Sequence, residues 1–409
     1  MNASPSAAIA VRQREASAGG APALPADAAG IYVHVPFCAH ICPYCDFNTY
    51  SGQDAIIPRY VAAVEREIGS AASLLDGRPV ASVFLGGGTP SLLSPDQVGR
   101  ILAACRSSFA LLADAEVTLE ANPNGVDTSS FAGLLAAGVN RISLGAQTLS
   151  RRGLRTLGRL HEPRQVADAV RAARAAGFAN LSLDLIFGWP GQTPDMLGND
   201  LDAVLGGAIG GSVPEHLSLY SLIVEPGTPM ADAVARGIFV PPDDDDAADL
   251  YELAMERLAA ADWIHYEVAN WSRERSLGSR HNRLYWRNGD YLGIGAGAHG
   301  HVGGERWMNH LLPATYCRAI ENGDGGRSNV ERIPHRTAIG ETMMLGLRLI
   351  EDGVDGDRFA ARHGESLEAT FGPTIAELSD LGLLRRTTEG VRLTRRGLLL
   401  ANDVCARFL

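Results

Sequence analysis

No apolar run in the 409-residue sequence lasts long enough to cross a bilayer, because each is soon broken by Gly, Pro or a charge, which excludes a transmembrane helix. The opening MNASPSAAIAVRQREASAGGAPALPADAAG lacks the apolar core of a secretory signal. It reads as an Ala/Pro/Gly-rich tail, residues 1–29, on a cytoplasmic protein. Basic residues are outnumbered: 36 Lys+Arg against 47 Asp+Glu give a formal charge of -11 and a pI near 5.5. Such a balance excludes broad affinity for phosphate backbones or anionic membranes. Cysteine is scarce, six in all, and three of them fall within eight residues, which speaks against a disulfide framework. Cys105, Cys317 and Cys405, scattered in apolar surroundings, read as small buried hydrophobes.

The cluster of three also lacks something. In CAHICPYCDFNTY (38–50), Cys38, Cys42 and Cys45 are followed by Asp46 and Phe47, where a fourth thiolate might stand. Structural zinc wants four protein ligands and would have to recruit His34 or His40, since no second Cys/His pair lies at finger spacing. A four-iron cubane held by three thiolates keeps one iron open to an exogenous ligand. The sulfurs therefore point to such a cluster, with a zinc-stabilised interaction module as the outside reading.

What the chain does have is alternation. At 46% hydrophobic and 43.4 kDa it can bury a sizeable core in two or three domains. Apolar β-rich runs at 31–37, 81–88, 116–123, 140–147, 180–190 and 215–222 are separated by stretches of helical period at 57–76, 95–111, 163–177 and 196–206. Near-continuous apolar strands alternating with helices predict a parallel sheet covered on both faces. Six units suggest a partial (β/α)6 barrel, with a flat doubly wound sheet as the other possibility. The unusual residues favour the barrel: the cysteines, Gly86–Pro90, Glu120, Gln147 and Asp184 all fall at carboxyl ends of strands, which in a barrel converge on one face.

The CxxxCxxC spacing, with GGGTP (86–90) downstream, resembles the radical S-adenosylmethionine superfamily. YVHVPFC, LGGGTPS, LEANP, GAQT, LGRLH, DLIFGWPGQT, HNRLYW and GIGAGAH further resemble the oxygen-independent coproporphyrinogen III oxidase-like group, and within it the HemW haem-chaperone branch, over residues 30–409. The oxidases proper carry a further cysteine where this chain has Phe47, and HNRLYW (281–286) matches the chaperone branch; Gly300 departs from a Ser usual after GAH.

The resemblance implies a [4Fe-4S] cluster on Cys38, Cys42 and Cys45, and S-adenosylmethionine met by Tyr32, Tyr44, Gly87, Gly88, Thr89, Glu120, Gln147, Arg159 and Asp184. It implies haem as cargo, with His281 in contact, and a haem-accepting protein as partner; it leaves room for a homodimer. A scaffold able to cleave S-adenosylmethionine is implied, but not a coproporphyrinogen oxidase, which is the alternative function.

Beyond residue 230 the alternation stops. Asp243–Asp246 reads as a negative first turn of a helix, not a metal site. The stretch 263–309 gathers Trp263, Tyr266, Trp271, Tyr285, Trp286 and Trp307 with His265, His281, His299 and His301 and, just past it, His310. It is the candidate haem-binding region of a barrel extension, 231–333. Residues 334–409 read as a winged-helix-like domain: helices 336–349 and 366–381, two short strands around 388–390, and a helix 394–408. Its basic LRRTTEGVRLTRRG carries no base-reading pattern, so a lid or partner-docking role is expected and no nucleic acid.

Overall fold

The computed structural model describes Pro25 and residues 27–409. The expected tail thus lies outside the described residues but for its last positions, and Ala29 already belongs to the first strand, fully buried. Six strands run parallel in chain order: β1 (Ala29–Val35), β2 (Pro79–Gly87), β3 (Ala110–Ala121), β4 (Arg141–Gln147), β5 (Leu181–Phe187) and β6 (His216–Ser221). All but β3, whose first half is exposed or half-buried, are buried along most of their length, as a sheet covered on both faces requires.

The crossovers are α1 (Ile57–Ser70), α2 (Pro95–Ser108), α3 (Thr128–Ala137), α4 (Arg151–Thr156), α5 (Pro163–Ala176) and α6 (Pro194–Leu205). Their starts are written locally. Pro sits in the first turn of α1, α2, α5 and α6, and Ser94, Asp127 and Thr193 accept backbone N–H bonds at three of the N-termini. The expected helix 57–76 stops at Ser70, and α4 was not anticipated.

The region after β6 does not form a separate layer. After α7 (Pro229–Ala235) and α8 (Asp244–Ala260), it adds strands to both edges of the sheet. β7 (Ile264–Glu267) and β8 (Asn270–Ser272) extend β6, and β9 (Tyr291–Ile294) pairs parallel with β1. β10 (His299–Val302), β11 (Glu305–Asn309) and β12 (Arg327–Arg332) follow antiparallel. The parallel run therefore holds seven strands, not six. Because β1 pairs with β9 and β6 with β8, the sheet never closes on itself and remains a partial barrel. The Asp243 side chain accepts from the Asp246 N–H and opens α8, so the DDDD run is a helix start as expected.

Helix α9 (Arg280–Trp286) sits against Ser82 of β2 and Glu116 of β3. The buried Glu116 carboxylate accepts from the Arg280 and His281 N–H groups at 3.1 and 3.2 Å, pinning the helix start to β3. After α10 (Pro313–Asn322) come α11 (His335–Gly346), β13 (Val354–Asp355), α12 (Gly356–His363), α13 (Leu367–Asp380), β14 (Leu384–Arg386), β15 (Gly390–Leu393), α14 (Arg395–Leu399) and α15 (Ala401–Ala406). The helix-rich order with a three-stranded sheet is winged-helix-like; α12 and β13 were not read from the sequence, and the terminal helix is broken at Leu400. Cys105, Cys317 and Cys405 are free and buried.

Candidate functional site

One cavity of about 470 Å³ runs from the carboxyl ends of the strands down the inner face of the sheet. Cys38, Cys42, Cys45, Tyr44, Gly87, Gly88, Thr89, Glu120, Gln147, Arg159 and Asp184 all line it, as do Arg141, His216 and Asn282. Residues distant in sequence converge here because most terminate, point inward from or closely follow a parallel strand, while Arg159 comes from the turn after α4 and Asn282 from the helix Arg280–Trp286.

The cysteine loop leaves β1 and is held in shape by backbone bonds, Cys38 N–H to Tyr50 O at 2.9 Å and Cys45 N–H to Cys42 O at 3.0 Å. Burial pushes the Cys38 and Cys45 thiols up, and neighbouring thiols add to the effect. Among the described residues, no three His, Cys, Asp or Glu side chains converge on a single-ion site.

The glycine turn is stitched to this loop. Gly88 N–H donates to Val35 O at 2.9 Å and Thr89 N–H to Phe37 O at 2.8 Å. A Cβ on Gly88 would stand 2.7 Å from both carbonyls, and Gly87 has φ 107, so neither tolerates a side chain. The Thr89 hydroxyl donates to Cys38 Sγ at 3.5 Å and accepts from Asn122 Nδ2 at 3.0 Å. Asn122 Oδ1 in turn accepts from the Arg159 guanidinium, which reaches Cys42 Sγ at 3.4 Å and Gly145 O at 3.2 Å. A chain of side chains thus links the first cysteine to the second through Thr89, Asn122 and Arg159. Sequence reasoning missed Asn122. It lies two residues beyond Glu120 in LEANP, on the same face by strand alternation, and that period was the available signal.

Glu120 accepts from Gly87 N–H at 3.0 Å, and Asp184 accepts from Ser143 Oγ at 2.8 and 3.0 Å. Burial first, and then the Asp184 charge, lift the Glu120 carboxyl to about 7, against the opposing pull of the Gly87 N–H and Arg141. Asp184 is raised as well, chiefly by burial. Gln147 takes φ 64, a left-handed conformation that is uncommon outside glycine and concentrates at functional sites.

A titratable carboxyl at this position has a consequence. A ligand hydroxyl or ammonium needs the ionised form, which predominates above about pH 7. If S-adenosylmethionine meets Glu120, as the resemblance implies, it should bind about tenfold more weakly at pH 6 than at pH 8, and Glu120→Gln should flatten that dependence. Calorimetric titration at the two pH values checks it; an equal slope in both proteins removes Glu120 as the cause.

Two expected contacts are arranged differently. Tyr32 does not line the cavity: its hydroxyl bonds His34 Nδ1 at 2.9 Å and its ring stacks on Phe84, whose own ring does line the cavity. His281 is 1% exposed, and both ring nitrogens are engaged, Nδ1 with Ser82 Oγ and Nε2 with Tyr285 OH, each at 2.8 Å. Its ring stacks on Phe84 at 5.2 Å. Burial holds its pKa down to about 3.

Trp286 Nε1 donates to Glu267 at 2.8 Å and Tyr285 packs on Tyr291, so these aromatics fill the seam beneath the sheet instead of walling a pocket. Of the HNRLYW residues, Asn282 alone is among those lining the cavity. Trp263, Tyr266, Trp271 and Trp307 are likewise core residues, buried in packing that no sequence pattern separates from a ligand pocket. His301 is buried near Gly289 O and Asp290, and His299 is exposed but outside the cavity lining.

The superfamily model for radical SAM proteins matches residues 32–204, and that of the HemN C-terminal domain matches residues 333–400. The heme chaperone HemW of Mycobacterium tuberculosis is 39% identical over 97% of this chain and 99% of its own length. HemW of Bacillus subtilis is 36% identical over 92% of this chain and 98% of its own. The solved structure of coproporphyrinogen III oxidase (HemN) from Escherichia coli, 22% identical, matches with a TM-score of 0.77 over 99% of this chain and 93% of that one, a likeness of fold.

Proposed function

Because the chain belongs to the HemW heme-chaperone family of the radical SAM superfamily, we propose that it binds haem and passes it to an acceptor protein, on a scaffold that carries a [4Fe-4S] cluster and S-adenosylmethionine. The observation that carries this reading is kinship with HemW proteins along nearly the whole chain. Phe47 supports it, standing 66% exposed on the cavity rim where the related oxidases have a cysteine.

Cys38, Cys42 and Cys45 would hold the cluster, whose open iron supplies a chelation point for the amino and carboxylate groups of S-adenosylmethionine. The protein's own part is orientation. Thr89 and Arg159 donate to two of the sulfurs and, through Asn122, hold each other in place. Gly87 and Gly88 let backbone come close to the methionine end, while Glu120 and Asp184 offer acceptors to hydroxyl and ammonium groups. Tyr44 packs on Leu157, Ile186 and Trp189 and keeps that wall dry. No helix among the described residues is long and apolar enough to cross a membrane.

Anaerobically reconstituted protein should bind haem in a spectroscopic titration, and should not convert coproporphyrinogen III to protoporphyrinogen IX with S-adenosylmethionine and a reductant. Sustained turnover would replace the chaperone reading with the oxidase; absence of haem binding would remove it.

A further inference from the structure

The cavity does not end at the strands. Its mouth carries two apolar lips that face water. One is the cysteine loop, with Ile41 40% and Phe47 66% exposed; the other follows β6, with Tyr220 44% and Ile223 65% exposed, backed by the half-buried Leu222. All five line the same cavity. Large apolar side chains on opposite sides of one opening, left in water, are the surface expected to take a flat apolar ligand. His40, exposed between Cys38 and Ile41, also lines it, and no hydrogen bond within the described residues engages its ring. By contrast, the buried His281 has both nitrogens occupied.

Resting on the chaperone reading above, we propose that haem docks across this mouth, its macrocycle between Ile41 and Phe47 on one lip and Tyr220 and Ile223 on the other, with His40 as the imidazole that meets the iron. An exposed seat of this kind also suits cargo that must be surrendered, since the acceptor can reach the ligand without the barrel opening.

The test is haem titration of the full-length, cluster-loaded chain, followed by its Soret band. Tyr220→Ser with Ile223→Ser lies outside the cysteine loop and changes only exposed side chains, so folding and iron content should match the wild type. Haem affinity should fall about a hundredfold, from roughly tenfold per large apolar contact removed. His40→Ala should shift the Soret maximum, whereas His281→Ala, compared per folded molecule, should leave it in place. If the wild type binds haem and the lip double variant binds it equally well, the site is wrong while the chaperone reading stands. An unmoved Soret band in His40→Ala would remove the axial assignment. A wild type that binds no haem overturns both.

Discussion

Replacing Cys42 with serine should abolish the iron centre. The wild-type protein, reconstituted without oxygen, should hold about four irons per chain, and Cys42→Ser close to none. Cys42 is the middle cysteine of the loop, and its sulfur is the one that the Arg159 guanidinium reaches at 3.4 Å, so the substitution would remove one of the three proposed thiolate ligands and break the link from Arg159 through Asn122 and Thr89 to Cys38. A hydroxyl is a poorer ligand for iron than a thiolate, and a cluster held by three cysteines alone would have no spare donor. Iron analysis and the visible spectrum read the result. Full iron content in Cys42→Ser would show that the loop does not hold the cluster. Thr89→Ala, which deletes one hydrogen bond to Cys38, should keep the iron and so distinguishes a lost ligand from a loosened loop.

His281→Ala should cost about 3 kcal/mol of stability. The imidazole fills a closed space between Phe84, Tyr285 and the backbone at Gly30, where a Cβ in place of the glycine hydrogen would stand 3.2 Å from the ring. Its removal leaves the buried Ser82 Oγ and the half-buried Tyr285 OH without their shared partner and opens a void that the surrounding strands cannot fill. Denaturant unfolding of the two proteins measures the loss. His281→Asn, which can keep a bond to Ser82 but not to Tyr285, should fall between them. Unchanged stability would mean that the histidine is not the plug its geometry describes, and would return it to consideration as a haem contact.

The parts of this protein that were legible in the sequence are those whose physics is local. Six parallel strands announced themselves as apolar runs alternating with helical period, since each buries both faces within its own few residues. The cysteine loop and the glycine turn were legible because thiolate spacing and the need for φ beyond the reach of other residues are written in consecutive positions. Tertiary structure decided the rest. YLGIGAGAH was not among the strands read from the sequence, yet its first four residues form a seventh parallel strand, because pairing with β1 depends on a partner about 260 residues away. Asn122 became a link between two cysteines through contacts with Thr89 and Arg159, which nothing in its own neighbourhood specifies. Tyr32 and His281 lie in motifs that suggest ligand contact, but Phe84 lies against both rings, and its place was set by the register of β2 on β1. Which residues form a strand follows from the chain itself; which side chains reach an open cavity depends on what the neighbouring strands have already filled.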